Sequence, residues 1–138
     1  MINKIKSHKE KNQRVRIFRQ VAKGVIETSN GYILDFSDEL LLIHESDDFK
    51  VDGYAVIPID QIKKIRFNKS DRYFDKIMKW EKEIEKVGIN YTVNLKNWKA
   101  LFSSLQQKVM NVVVECEDPD IKSFTIGLIE KIGKIYIY

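Results

Sequence analysis

Lys23-Gly24-Val25-Ile26-Glu27-Thr28-Ser29-Asn30-Gly31-Tyr32-Ile33-Leu34-Asp35-Phe36 holds two short apolar segments divided by an Asn-Gly pair. Asn-Gly is the strongest short hairpin signal because both residues tolerate positive φ. A turn is therefore expected at Asn30-Gly31. Upstream, Arg14 to Val21 sets Val15, Ile17 and Val21 among cations and polar residues, the alternation of a half-buried strand. Downstream, Ser37-Asp38 makes a second tight connection before Glu39-Leu40-Leu41-Leu42-Ile43-His44-Glu45, an apolar run of buried-strand length. Ser46 to Gly53 reads as a loop and Tyr54 to Pro58 as a strand. Ile59 to Ile62 suits one 3₁₀ turn, and Lys63 to Phe67 a last strand. Short strands with tight turns and no intervening helix describe a small antiparallel barrel or sandwich.

Helix is expected only after that. Asn68 or Ser70 can cap a segment in which Tyr73, Ile77, Trp80, Ile84 and Val87 recur at helical spacing, ended by Gly88. Asp75 with Lys79, and Lys79 with Glu83, fall at i,i+4. A second helix should follow Asn94, with Leu95, Trp98, Leu101, Phe102 and Leu105 on one side. Trp80 and Trp98 are expected to share one core. The chain then returns to strands at Val109–Glu115 and Phe124–Glu130, a turn at Ile132-Gly133, and a strand over Lys134–Tyr138. Gly24-Val25-Ile26-Glu27 echoes Gly127-Leu128-Ile129-Glu130, which reads either as a partial repeat or as coincidence in β-rich sequence. Tyr138 falls where a strand should continue, which leaves completeness open.

The expected organisation is a flexible basic arm (1–13), a small barrel (14–68), a helical segment (69–108) and a C-terminal β extension (109–138). The class is α+β, mainly β. A chain of 138 residues allows one compact domain with an extension. With 43% hydrophobic and 32% charged residues it is neither a disordered chain nor an integral membrane protein. No apolar run reaches signal-peptide or bilayer-spanning length, so the expected compartment is the cytoplasm.

The net charge of +4 conceals segregation. Residues 1–24 sum to +7, residues 25–60 to −8, residues 61–108 to +7 and residues 109–138 to −2. Such a field favours self-association or internal docking as readily as an acidic partner.

Arg19 to Phe67 resembles the small barrels of the Sm-like and SH3-like type. The resemblance rests on Gly24-Val25-Ile26-Glu27, Gly31-Tyr32-Ile33-Leu34-Asp35, Glu39-Leu40-Leu41-Leu42-Ile43 and Ile57-Pro58-Ile59-Asp60-Gln61-Ile62-Lys63-Lys64-Ile65. It implies a five-stranded antiparallel barrel in which an early Gly bends the first strand and a 3₁₀ turn precedes the last. Similar arrangements occur in poorly characterised bacterial proteins. Two features depart from Sm-like RNA binders. Their RNA-binding loops correspond to Ser37-Asp38-Glu39 and Pro58-Ile59-Asp60, whose carboxylates repel phosphate. Their N-terminal helix is also missing, since residues 14–21 read as strand.

Candidate chemistry is sparse. Cys116 reads as a buried small hydrophobe beside Val112 and Val114 rather than a reactive thiol. Asp47 to Gly53 lacks EF-hand spacing and reads as a solvated loop, and His44 as a barrel-edge residue. No phosphate loop, nucleophile elbow or metal-ligand pattern appears, so no catalysis, metal or cofactor is expected. Lys9, Lys11, Arg14, Arg16, Arg19 and Lys23 form the best candidate polyanion surface, with Phe18, Tyr32 or Tyr54 as stacking platforms. The preferred alternative pairs Arg14, Arg16 and Arg19 with the acidic block that follows them. Tyr73, Ile77, Trp80 and Ile84 are the candidate protein-interaction residues, although burial against the barrel is the first reading of that stripe. The expected function is a non-enzymatic binding or adaptor module with a protein partner or a second copy; a nucleic-acid-binding barrel using the basic arm is the alternative.

Overall fold

The computed structural model describes residues 1–108, 111–121 and 123–128. It is an α+β structure built on a five-stranded antiparallel sheet, with a separate two-stranded sheet. A helix, α1 (Ile2–Lys11), precedes β1 (Arg14–Ala22), β2 (Val25–Phe36), β3 (Leu40–Asp47) and β4 (Lys50–Pro58). A 3₁₀ turn (Ile59–Gln61) leads into β5 (Ile62–Arg66). The strand order is β4-β3-β2-β1-β5; β4 and β5 are not paired, so the five strands expected to close into a barrel form an open sheet. Then come α2 (Lys69–Trp80), a 3₁₀ turn (Glu83–Lys86), α3 (Trp98–Gln106) and the hairpin of β6 (Asn111–Cys116) with β7 (Ser123–Leu128).

The turn expected at Asn30-Gly31 is absent. Ala22 faces Val25, so the β1–β2 turn is Lys23-Gly24, with Gly24 at φ 72°. There only glycine is free of Cβ strain. β2 runs through Asn30-Gly31 because both residues are paired, Gly31 lying between Val15 and Glu45. A Cβ at Gly31 would sit 2.2 Å from the His44 carbonyl oxygen. The glycine thus marks a close approach of two backbones inside a sheet. The expected loop at Ser46–Gly53 is likewise mostly strand. Asp47 faces Lys50 across a two-residue turn, Asp48-Phe49, with φ of 47° and 60°.

Residues 2–11 are helical rather than an irregular arm. Their apolar content is only Ile2 and Ile5, too little for a helical period, and no side chain caps the first turn. Tertiary contact supplies the stability: Ile5 is 0% exposed, packed with Val15, Ile17, Ile33, Leu41, Ile43, Ile57 and Ile65. Asn12, at φ 49°, ends the helix in the left-handed conformation.

The other side of the sheet carries the remaining helices. Leu40 and Leu42 of β3 pack against Leu95 and Leu101, with Trp98 and Leu105 alongside. The helix expected after Asn94 starts only at Trp98, capped by Asn97, so Leu95 reaches this core from the segment before it. Because Leu41 and Ile43 face α1, β3 is buried on both sides, which accounts for its continuous apolar run. α2 packs differently from expectation. Asn68 and Asp71 form a reciprocal capping box, and the helix stops at Trp80 rather than continuing to Gly88. Its buried residues are Asp71, Phe74 and Met78, against Tyr32. Tyr73 and Trp80 are 61% and 67% exposed, so Trp80 shares no core with Trp98. The helix is rolled by polar anchors: the Tyr32 hydroxyl donates to Asp75 at 2.6 Å, and Arg14 reaches Asp71 at 2.6 Å.

Residues 109–110 and 129–138, including the Ile132-Gly133 turn, the strand after it and half of the Gly127 echo, lie outside the described residues. Gly127 lies within β7 opposite Val112, whereas Gly24 lies in a turn. Cys116 and Val112 are half-buried and Val114 is exposed, so the cysteine is not the core residue expected. No described helix is long and apolar enough to cross a membrane.

Candidate anion-binding site

Strand alternation sends Val15 and Ile17 into the core and turns Arg14, Arg16 and Phe18 to the opposite face of β1. β5 lies antiparallel beside it, placing Arg66 directly opposite Arg16 and Lys64 opposite Phe18. Like charges directly opposite in an antiparallel pair are destabilising. That cost falls on Arg16 and Arg66, whereas Lys64 faces an aromatic, its Nζ resting 5.6 Å from the centre of the Phe18 ring.

The chain leaves β5 through Asn68 into α2, whose first turn faces the same strands. One buried carboxylate neutralises part of the charge: Asp71 accepts from Arg14 Nη1 at 2.6 Å and from Arg66 Nε and Nη2 at 3.1 and 3.2 Å. Burial pushes the Asp71 carboxyl up, but bonds from Arg66, the Asn68 backbone and Arg14 outweigh it and hold the group below its ordinary value. Arg16 is held by Asn30 Oδ1 at 2.8 Å.

Between these elements lies a cleft of about 480 Å³. Its cations are Arg14, Arg16, Arg66 and Lys69, and its aromatic walls are Phe49, Tyr73 and Phe74. Phe49 stacks on Phe74 with centroids 4.7 Å apart, and the Arg14 guanidinium lies 4.3 Å from the Phe74 centroid. Arg14 is nine-tenths buried, and its Nε finds no hydrogen-bond partner. Along α2 the exposed ring of Trp80 continues this surface, with Lys76 Nζ 5.1 Å above it.

The six sequence-selected cations divide. Arg14 and Arg16 enter the cleft. Lys9 and Lys11 are exposed on α1, and Lys23 sits in the turn at the other end of β1. Arg19 is buried and committed elsewhere, to Ser29 Oγ at 2.9 Å and to both oxygens of Glu117 at 2.7 and 3.0 Å. The acidic block 25–60 supplies neither carboxylate partner: those are Asp71 and Glu117, while β2 gives only Asn30 and Ser29. Of the protein-interaction residues, Tyr73 and Trp80 are exposed, Ile77 is half-buried, and Ile84 packs into the cluster around Tyr32. Sequence reasoning missed Arg66, Lys69 and Asp71. The Asn-x-x-Asp pattern at 68–71, a capping box, was the available signal for the last of these.

The loops beside Asp38, Glu39 and Asp60 meet each other, since the Ile59 N–H donates to the Glu39 carbonyl at 2.8 Å. That acidic corner is separate from the basic cleft. A second concavity of about 650 Å³ is lined by β4, α3 and β6, with Trp98, Phe102 and Leu105 among its apolar walls. Among the described residues no group of three or more His, Cys, Asp or Glu could hold a metal ion.

His44 is buried inside β3, paired with Tyr32 on one side and Tyr54 on the other, and is not an edge residue. Its Nδ1 accepts from the Gly88 N–H at 3.1 Å, and its ring stacks on Tyr54 at 4.3 Å. The Tyr54 hydroxyl donates to the Gly88 carbonyl at 2.6 Å, so both side chains grip one peptide. Burial lowers the His44 pKa from 6.5. The unfolded chain therefore takes up the proton first as pH falls, and stability declines from about pH 6.5 down to the lower folded value. Melting temperature is expected to fall between about pH 7 and 5, with a shallower fall for His44→Phe. Equal slopes would show that His44 does not carry the effect. Comparison with models of protein families, with curated proteins and with solved structures finds no match.

Proposed function

We propose that this chain is a non-enzymatic cytoplasmic binding module, a small Sm-like β fold that holds single-stranded nucleic acid on the outer face of β1 and β5 and on α2. The observation that carries the reading is the juxtaposition of Arg16 and Arg66 across β1 and β5 beside Lys69, with aromatic rings interleaved. Arg66 is tied to Asp71 and Arg16 to Asn30, yet the two guanidinium groups still face each other across the ladder, and a phosphate backbone turns that remaining repulsion into binding energy. Exposed Tyr73 and Trp80 offer faces on which bases stack without sequence preference. The strand order β4-β3-β2-β1-β5, the helix α1 before it and the 3₁₀ turn before β5 support the Sm-like reading. The surface differs from the one first expected: it uses β5 and α2 in place of Lys9, Lys11, Arg19 and Lys23.

Fluorescence anisotropy with labelled single-stranded RNA and DNA tests this across a salt series. An affinity of about 1 µM at low salt is expected, weakening steeply as salt rises. Arg16→Ala combined with Lys64→Ala should weaken binding about tenfold and flatten the salt slope. Absence of binding at low salt would overturn the reading. A second reading, pairing of two copies through α2, is favoured by one observation: Tyr73 and Trp80 are large, apolar and exposed seven residues apart on one helix. Light scattering decides it, because a monomer at high concentration removes the second copy.

A further inference from the structure

Phe49 is the least comfortable residue in the described chain: a bulky aromatic at φ 60°, at the tip of the β3–β4 hairpin. A two-residue turn with positive φ at both positions ordinarily takes Asn-Gly or Asp-Gly. Asp48 conforms and Phe49 does not. Holding a bulky residue there strains the backbone, and such strain collects at ligand clamps. The strain brings the Phe49 ring over Phe74, where it forms one wall of the basic cleft.

The opposite chemistry lies within the same cleft. Arg14, Arg16, Arg66 and Lys69 stand against the single buried charge of Asp71, an excess of positive charge in a concavity of about 480 Å³. The concavity is wide open to solvent, so a ligand there would be gripped by charge and stacking on one side while the other stays in water. Arg14 keeps one buried N–H without a partner, so internal pairing does not exhaust the donors. An internal phosphodiester brings one negative charge, whereas a phosphomonoester brings up to two with three acceptor oxygens.

We infer that the cleft is a nucleotide pocket for a terminal phosphomonoester, with the phosphate held by Arg16, Arg66 and Lys69 and the base against Phe49 and Tyr73. This deepens the nucleic-acid reading and rests on it, but its test is separate. Thermal melting is followed with a nucleoside 5′-monophosphate, a nucleoside 3′-monophosphate, the parent nucleoside and inorganic phosphate, each at about 10 mM. One of the two monophosphates should raise the melting temperature by a few degrees and the bare nucleoside should not. Phe49→Gly relieves the backbone but gives up the stack on Phe74, so its basal melting temperature should fall while the ligand-induced rise is lost. Lys69 is exposed at the start of α2, and Lys69→Ala is the variant that should lose the rise alone. No shift with either monophosphate, or a shift matched by inorganic phosphate, would overturn the pocket. Anisotropy with oligonucleotides carrying or lacking a terminal phosphate gives the second arm. Equal affinities also overturn the pocket while leaving strand binding intact. A monophosphate shift without any oligonucleotide binding overturns strand binding and leaves the pocket.

Discussion

Asp71→Ala is expected to cost about 3–5 kcal/mol, enough to unfold most of a domain this size at moderate urea. The Asp71 side chain is 0% exposed and answers two guanidinium groups, and it accepts from the Asn68 N–H at 2.9 Å. Removal leaves Arg14 buried without a counter-charge, and loss of the reciprocal cap adds about 1 kcal/mol. Asp71→Asn keeps the shape but not the charge, and should fall between the two. The pH dependence follows from the depressed carboxyl. Its stabilising contribution is full above the unfolded value of 3.8 and is lost as pH falls through the lower folded value. The Asn variant lacks that contribution at every pH, so the stability gap from wild type should narrow below about pH 4. Urea titrations at neutral and acid pH measure both effects. Wild-type stability for Asp71→Ala at neutral pH would remove Asp71 as the link between β1, β5 and α2.

Gly31→Ala carries the other large effect. The added methyl would lie 2.2 Å from the His44 carbonyl oxygen and 3.0 Å from the Glu45 Cα. These are backbone atoms of a neighbouring strand, so no rotamer change relieves the clash. β2 and β3 must part or slip where Gly31 faces Glu45, next to the irregularity between His44 and Ser46. A loss of about 3 kcal/mol or more is expected from such overpacking. Gly24→Ala is the comparison: its new methyl meets nothing within 4 Å, and only the φ of 72° opposes it. That substitution should cost about 1 kcal/mol. Equal midpoints for the two variants in urea would refute the close-approach account.

Much of the fold is readable without coordinates wherever one residue type dominates its own neighbourhood. The alternation around Val15 and Ile17 gives β1, and the Leu40–Ile43 run gives a strand buried on both sides. The α3 face is legible because Trp98, Leu101 and Leu105 recur at helical spacing, although Leu95 packs on the same side from the segment before the Asn97 cap. α2 resists the same reasoning. Its apolar stripe through Tyr73, Ile77 and Trp80 is the stronger pattern, yet the helix turns Phe74 and Met78 inward. Bonds from Tyr32 to Asp75 and from Arg14 to Asp71 set the roll, and neither can be guessed from the helix alone. The candidate site is legible only in half: Arg14 and Arg16 stand out as cations in a strand, whereas Arg66 and Lys69 acquire meaning once β5 lies beside β1.

The sequence by itself determined the local periods, the mixed α and β content, the narrowing of the α2 cap to Asn68 or Ser70 and the charge blocks, because each depends on neighbours within a few positions. Tertiary structure decided the rest. It made Asn30-Gly31 strand instead of turn, folded residues 2–11 onto the core through Ile5, and gave the arginines their carboxylates from 57 and 98 residues away. Those outcomes turn on desolvation and pairing between distant segments, where one buried carboxylate or one missing Cβ outweighs any local preference.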